Sequence, residues 1–175
     1  MELKGSKTEA NLREAFAGES QARNKYTYWA SKARKDGFEH VARIFEETAE
    51  NEKEHAKLWF KRLGGVNDTV ANLLDAAGGE KEEWSGMYKR MAQEARAEGF
   101  DEIAEQFDHV GSIEKHHEER YLMLAKEIKD GTMFVRKMDV TWECLNCGFH
   151  LKGTGAPDVC PACFHPQAYF VVVRG

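Results

Sequence analysis

The chain has 175 residues, 42% hydrophobic and 31% charged, with a formal net charge of −5. That length accommodates one main domain with a proper core and a small appendage, and the interspersed, mildly acidic charge argues against nucleic acid or an anionic membrane as partner. No apolar run approaches the roughly 20 residues of a membrane span, and the first residues, MELKGSKTEANL, lack the apolar stretch of an export signal.

Two regions separate by composition. Residues 1–131 contain no proline and no cysteine and are rich in Ala, Glu, Lys, Arg and Leu, whereas residues 132–175 hold all three prolines and all four cysteines. The first region reads as an all-α four-helix bundle, the second as a small β/loop module built around a metal.

Four amphipathic segments follow in order. Leu12, Phe16, Glu19, Ala22, Tyr26, Trp29 and Ala33 recur at helical spacing, and KDGF closes the segment. Val41, Ile44, Phe45, Thr48, Glu52, His55, Trp59 and Leu63 form a second stripe, ended by Gly64-Gly65. Glu80, Trp84, Met87, Met91 and Ala95 form a third, closed by AEGF. Ile103, Phe107, Val110, Glu114, His117, Tyr121, Leu124 and Ile128 form the fourth. Short turns predict two antiparallel hairpins, joined by a longer connection over 64–79 that is expected to cross the bundle.

The hairpins are copies. A shift of 62 residues carries Tyr26 onto Tyr88, Gly37-Phe38 onto Gly99-Phe100, Phe45 onto Phe107, Glu52 onto Glu114 and His55 onto His117. Glu19 meets Glu80 only at a shift of 61, so one extra residue lies between Glu80 and Tyr88. An insertion inside a helix is usually absorbed as a π-bulge, often at a functional site, which places something unusual around Glu83.

The four acids on the apolar stripes define the chemistry. Glu19, Glu52, Glu80 and Glu114 would repel one another strongly, and the stripes offer almost no Arg or Lys to neutralise them. Positions i and i+3 share a helix face, so Glu52/His55 and Glu114/His117 each present an oxygen and a nitrogen inward. Most Glu and His residues at helical spacing are merely solvated, but two repeat-related pairs matched by two further acids fit a pair of metal cations. Oxygen and imidazole ligands suit iron or manganese, and imidazole also suits zinc. Further on, Cys144, Cys147, Cys160 and Cys163 form two C-x-x-C knuckles, metal-ligand spacing in a chain read as residing in a reducing cytoplasm. Four thiolates around one tetrahedral metal is the expectation, with iron and zinc both open on spacing alone.

The segments AFAGESQARNKY, ENEKEH, EKEEWSGMY, SIEKHH and CLNCG…CPAC together resemble the rubrerythrin family, end to end and in order. The resemblance implies a ferritin-like di-iron bundle with a C-terminal rubredoxin-like domain and three Fe per chain. It implies Glu19, Glu52, His55, Glu80, Glu83, Glu114 and His117 as di-iron ligands, Glu52 and Glu114 bridging, with Glu83 and His55 exchanging on one iron. Tyr26 and Tyr88 become candidates for hydroxyls bonded to ligating carboxylates. The implied reaction is reduction of hydrogen peroxide to water, with electrons relayed through the Fe(Cys)4 centre from rubredoxin or an NAD(P)H-dependent reductase, in a head-to-tail homodimer. A ferroxidase or iron-handling role, or a dioxygen-reducing di-iron protein, is the alternative. Beside the family pattern, Lys89 stands where proline is expected and the connection at 64–79 is short.

Overall fold

The computed structural model describes residues 2–173. Helix α1 (Lys7–Lys35) pairs with α2 (Glu39–Arg62). Helix α3 (Thr69–Glu82) passes through one π-helical turn, Glu83–Met87, into α4 (Tyr88–Ala97), and this broken rod pairs with α5 (Asp101–Lys129). A three-stranded antiparallel sheet follows, ordered β2-β1-β3, from β1 (Val135–Cys144), β2 (His150–Gly155) and β3 (Phe170–Val172). Residues 1–68 and 69–175 form two compact units, so the second hairpin shares its unit with the sheet module. Among the described residues no helix is long and apolar enough to cross a membrane.

The hairpin turns repeat in structure as they do in sequence. After α1, Phe38 N–H bonds Ala33 O at 2.9 Å and Gly37 N–H bonds Arg34 O at 3.1 Å. After α4, Phe100 N–H bonds Ala95 O at 2.8 Å and Gly99 N–H bonds Arg96 O at 3.1 Å. Both are Schellman motifs, which close a helix through a left-handed residue. Gly37 (φ +86°) and Gly99 (φ +84°) supply it. At the start of α1, Ser6 Oγ accepts from the Glu9 N–H at 3.1 Å.

Each hairpin closes on a seam of small residues. The buried helical side chains are Ala30, Ala33, Ala42, Ala49 and Ala56 in the first hairpin, and Ala77, Ala92, Ala95, Ala104 and Ala125 in the second, where Gly111 is also buried. Small residues let two helices approach closely, so the bulkier stripe is left on the face beside the seam. That stripe is only half covered: Phe16, Tyr26, Phe45, Tyr88 and Phe107 are half-buried, while Trp29, Val41, Ile44 and Ile103 are exposed. The expectation of a buried stripe is therefore not met by either hairpin taken alone.

The connection differs from the sequence reading too. It is not sixteen residues long: α2 is capped by Leu63 and α3 already begins at Thr69, leaving five residues, 64–68. The stretch VANLLDAA holds the helix, and Gly78 and Gly79 continue it. Two interior glycines cost about 1 kcal/mol each relative to alanine, less than the run of Ala and Leu around them restores.

The large buried side chains lie in the module, where Trp142, Cys144 and Cys160 are fully buried with Phe170 and Ala156 beside them. Trp142 Nε1 donates to Gly153 O at 3.1 Å, which satisfies the indole. Arg136 ties the module to α5. Its guanidinium meets Glu127 at 2.9 Å, donates to the Thr132 carbonyl and lies 5.5 Å from the Trp142 ring centroid. Both partners of the ion pair are largely shielded, with side chains 22% and 18% exposed, so removing one leaves a partly desolvated charge alone. Glu127→Ala should loosen the module at a cost of about 1–3 kcal/mol. Limited proteolysis should then cut faster between residues 130 and 135; unchanged cleavage would show that the sheet is held by other contacts.

Candidate metal centre

Helical spacing gathers the acids and histidines into two equal groups. In the first hairpin, α1 presents Glu19, and α2 presents Glu52 and His55. His55 Nδ1 stands 2.8 Å from Glu52 Oε2 and 3.8 Å from Glu19 Oε1. In the second, α3 presents Glu80, and α5 presents Glu114 and His117. His117 Nδ1 stands 2.6 Å from Glu114 Oε2 and 3.8 Å from Glu80 Oε2. Within each triad the donor atoms all lie within 4.8 Å of one another. The internal repeat thus yields the same three-donor geometry twice, once per hairpin.

Both triads are electrostatically uncomfortable as they stand. Burial lifts the Glu19 carboxyl above its ordinary range, and the Glu52 carboxylate adds to the rise. Burial likewise lifts Glu80, helped by the charges of Glu114 and Glu83. The nearby Trp59 indole does not relieve this, since its buried Nε1 has no acceptor within hydrogen-bonding geometry among the described residues. Two acids against one imidazole, with no Lys or Arg in either triad, is a donor set that a cation completes.

Glu83 and Tyr88 bracket the π-helical turn. Glu83 is its first residue and stands outside the tight triad, yet its charge is felt by both Glu80 and Tyr88. Burial, followed by the charges of Glu83, Glu114 and Glu80, raises the Tyr88 phenol above its ordinary range, so its hydroxyl keeps its proton beside three carboxylates. Tyr26, its repeat mate, packs against Trp29 and Phe45 with centroids 5.6 and 6.0 Å away.

One contact that holds the turn was not foreseen. Trp84 Nε1 donates to Glu118 at 2.6 Å, and Lys89 and Lys115 lie 5.2 and 5.7 Å from its ring centroid. Opposite the turn, a Cβ at Gly111 on α5 would stand 3.2 Å from Tyr88 Cβ, so glycine there lets the two elements approach closely. A signal existed: Trp84 and Glu118 both break the internal repeat, since Ala22 and Ala56 occupy the 62-shifted positions.

The four cysteines converge in the module. Cys144 Sγ lies 3.7 Å from Cys163 Sγ, and Cys147 Sγ lies 3.8 Å from Cys160 Sγ, with none in a disulfide. A tetrahedron with metal–sulfur bonds of about 2.3 Å has edges of about 3.8 Å, so the thiols already stand at coordination distance. The two knuckles fold alike: Gly148 N–H returns to Cys144 O at 2.8 Å and Phe164 N–H to Cys160 O at 2.9 Å. Phe164 takes a left-handed φ of +60° at the position that glycine fills in the first knuckle.

These observations define a class: a helical carboxylate–histidine metalloprotein carrying its own four-thiolate module. Residues 10–125 match the rubrerythrin family, and residues 142–171 match its rubredoxin-like domain. Rubrerythrin of Porphyromonas gingivalis is 48% identical, covering 96% of this chain and 90% of its own. Rubrerythrin of Nitratidesulfovibrio vulgaris is also 48% identical, covering 96% and 95%. Among solved structures, fully reduced, all-ferrous nigerythrin shares 31% identity over 98% of this chain and 91% of its own, with a TM-score of 0.36. The chain belongs to the rubrerythrin family, with a ferritin-like helical part and a rubredoxin-like module, and is of an oxidoreductase class.

Local electrostatics order the thiols of the metal-free module. The His165 backbone N–H holds the Cys163 thiol down at about 6, whereas at Cys147 the lowering by the Phe149 backbone N–H is outweighed by Cys163, burial and the other thiols together, which push it up to about 12. At pH 7 the metal-free protein should therefore be alkylated by iodoacetamide at Cys163 well before Cys147, with the Cys163 rate falling as pH drops through about 6. Peptide mapping reads the order. Equal labelling at both positions would show that the His165 N–H does not set it.

Proposed function

We propose that the two triads together hold a pair of iron ions, that the four cysteines hold a third iron, and that the protein reduces hydrogen peroxide to water. The single observation that carries this reading is the pairing of two identical Glu–Glu–His triads with a preformed four-thiolate cluster in one chain. A ferroxidase or storage role has no use for the thiolate module. A zinc-ribbon scaffold has no use for the triads.

The reaction consumes two electrons and two protons for each peroxide and yields two waters. Bound iron would supply the electrons at the bundle and pass them in single steps at the module. The chain's own residues do the rest. Glu19, Glu52, Glu80 and Glu114 balance the metal charge, and His55 and His117 complete the donor set. Tyr88 holds a phenolic proton beside Glu80, Glu83 and Glu114, where it can be given to a departing oxygen. Glu83, set on the π-helical turn, can reach toward the site as an additional ligand, and we assign it and His55 as alternative partners of one iron.

Electrons come from outside the chain, from rubredoxin or an NAD(P)H-dependent reductase in the cytoplasm. Lys129, at the end of α5, lies twelve residues beyond His117, about 18 Å along the helix axis. The module follows it. A head-to-tail homodimer would shorten that path by setting one chain's module beside a site carried on the other chain's helices.

Three variants test the reading. Cys160→Ser should abolish most donor-driven peroxide turnover while the pre-reduced protein still consumes about one peroxide per metal pair in stopped flow. Tyr88→Phe should keep both metals and slow peroxide consumption about 10²-fold. Glu83→Ala should retain more metal than Glu52→Ala, read by metal analysis. Full turnover by a protein carrying zinc at the thiolates, or full turnover by Cys160→Ser, would sink the relay.

A further inference from the structure

A ferritin-like bundle joins its two hairpins through one long crossover, because the helices it connects run parallel and the chain must return from one end to the other. The ligand levels fix how long that return must be. Leu63, the cap of α2, lies eleven residues beyond Glu52, and Thr69, the first residue of α3, lies eleven residues before Glu80. Each interval is about 16 Å of helix. If Glu52 and Glu80 serve one metal pair on parallel helices, the chain between Leu63 and Thr69 must descend about 33 Å, plus the sideways step to the next helix. Six residue steps reach about 22 Å when fully extended.

This segment is not extended. Gly65 N–H bonds back to Phe60 O at 2.9 Å, and the Asn67 side chain donates to Gly64 O at 2.9 Å. The fold-back is tight enough that a Cβ on Gly65 would stand 2.2 Å from the Phe60 ring. Unwinding α3 gains only about 2 Å per residue, so closing the gap would dissolve at least its first turn and a half.

We infer that each metal pair is assembled between two copies of the chain. The α1–α2 hairpin of one copy faces the α3–α5 hairpin of the other, twice over, in a two-fold homodimer with two complete sites. This rests on the reading that both triads serve one metal pair. Each hairpin face offers one Glu–Glu–His triad and needs a second, and the second copy supplies it in the same geometry. The faces are otherwise apolar and half covered, with Trp29, Ile44 and Ile103 exposed along them. Exchange of identical elements between protomers makes such a dimer without any new surface.

The test is complementation of metal content. Chains carrying E52A/H55A and chains carrying E114A/H117A are co-expressed under two affinity tags, and mixed dimers are isolated over both. The thiolate-bound metal, one per chain, serves as the internal standard of folding. Either variant alone should hold no metal pair, and the mixed dimer should hold one, half the wild-type content. In a mixed dimer whose hairpins close within each chain, every site keeps a damaged half, so a content no higher than in either variant alone would overturn the inference. So would a wild-type monomer with a complete pair. A wild-type dimer with thiolate metal but no pair would instead overturn the underlying di-metal reading. As a second arm, about twelve Gly/Ser residues inserted between Val66 and Asn67 add up to about 40 Å of reach. The insertion should let each chain close its own site, so that the two variants no longer complement. A persistent dimer that still complements would show that the linker length is not what directs exchange.

Discussion

Two carboxylates and one imidazole crowded onto the apolar face of a helical hairpin set the terms for the rest of this chain. Glu52 and Glu114 approach His55 and His117 at 2.8 and 2.6 Å, and neither triad contains a lysine or an arginine. Each face needs a cation, and it cannot also be the surface on which the two helices of the hairpin meet. The hairpins therefore close along alanines, which bring the helices together without spending the acid-bearing face. Large hydrophobic burial moves to the sheet module, around Trp142 and Phe170.

The exception to the repeat lies where the chemistry needs asymmetry. One residue more in the third rod forces a π-helical turn, which places Glu83 on the same side as Glu80 and Tyr88. A π turn is costly in isolation, and here α5 holds it in place. Glu118 accepts the Trp84 indole, and Gly111 lets Tyr88 approach. The first hairpin has alanine at the matching positions, Ala22 and Ala56, and an unbroken helix. Two copies of one hairpin thus provide symmetric ligation, and a single insertion differentiates them.

Much of this was legible because the signals were periodic. Helical spacing located four rods, the repeat located both triads, the 61-versus-62 shift located the π turn, and the cysteine spacing located the thiolate cluster. What failed was local. Gly78-Gly79 read as a linker because glycine pairs usually break helices, yet the flanking Ala and Leu carry the helix through them. Arg136 was invisible because its partners, Glu127, Thr132 and Trp142, follow no period. What covers the stripe was not legible, because periodicity says which residues share a face and nothing about what lies against it.

That last gap connects the short linker to the metal. A face of aromatics and acids gains little from closing until the acids are neutralised, so cover and cation must arrive together. Were the cover supplied by the same chain, metal affinity would be independent of protein concentration. With the cover supplied by a second chain, metal binding and association become one linked equilibrium, each strengthening the other by mass action. Within each hairpin the alanine seam and the Schellman turn are made by local contacts alone. The sequence of events that this favours is hairpin first, pairing and metal second. Five residues between α2 and α3 then decide which hairpin can be the partner.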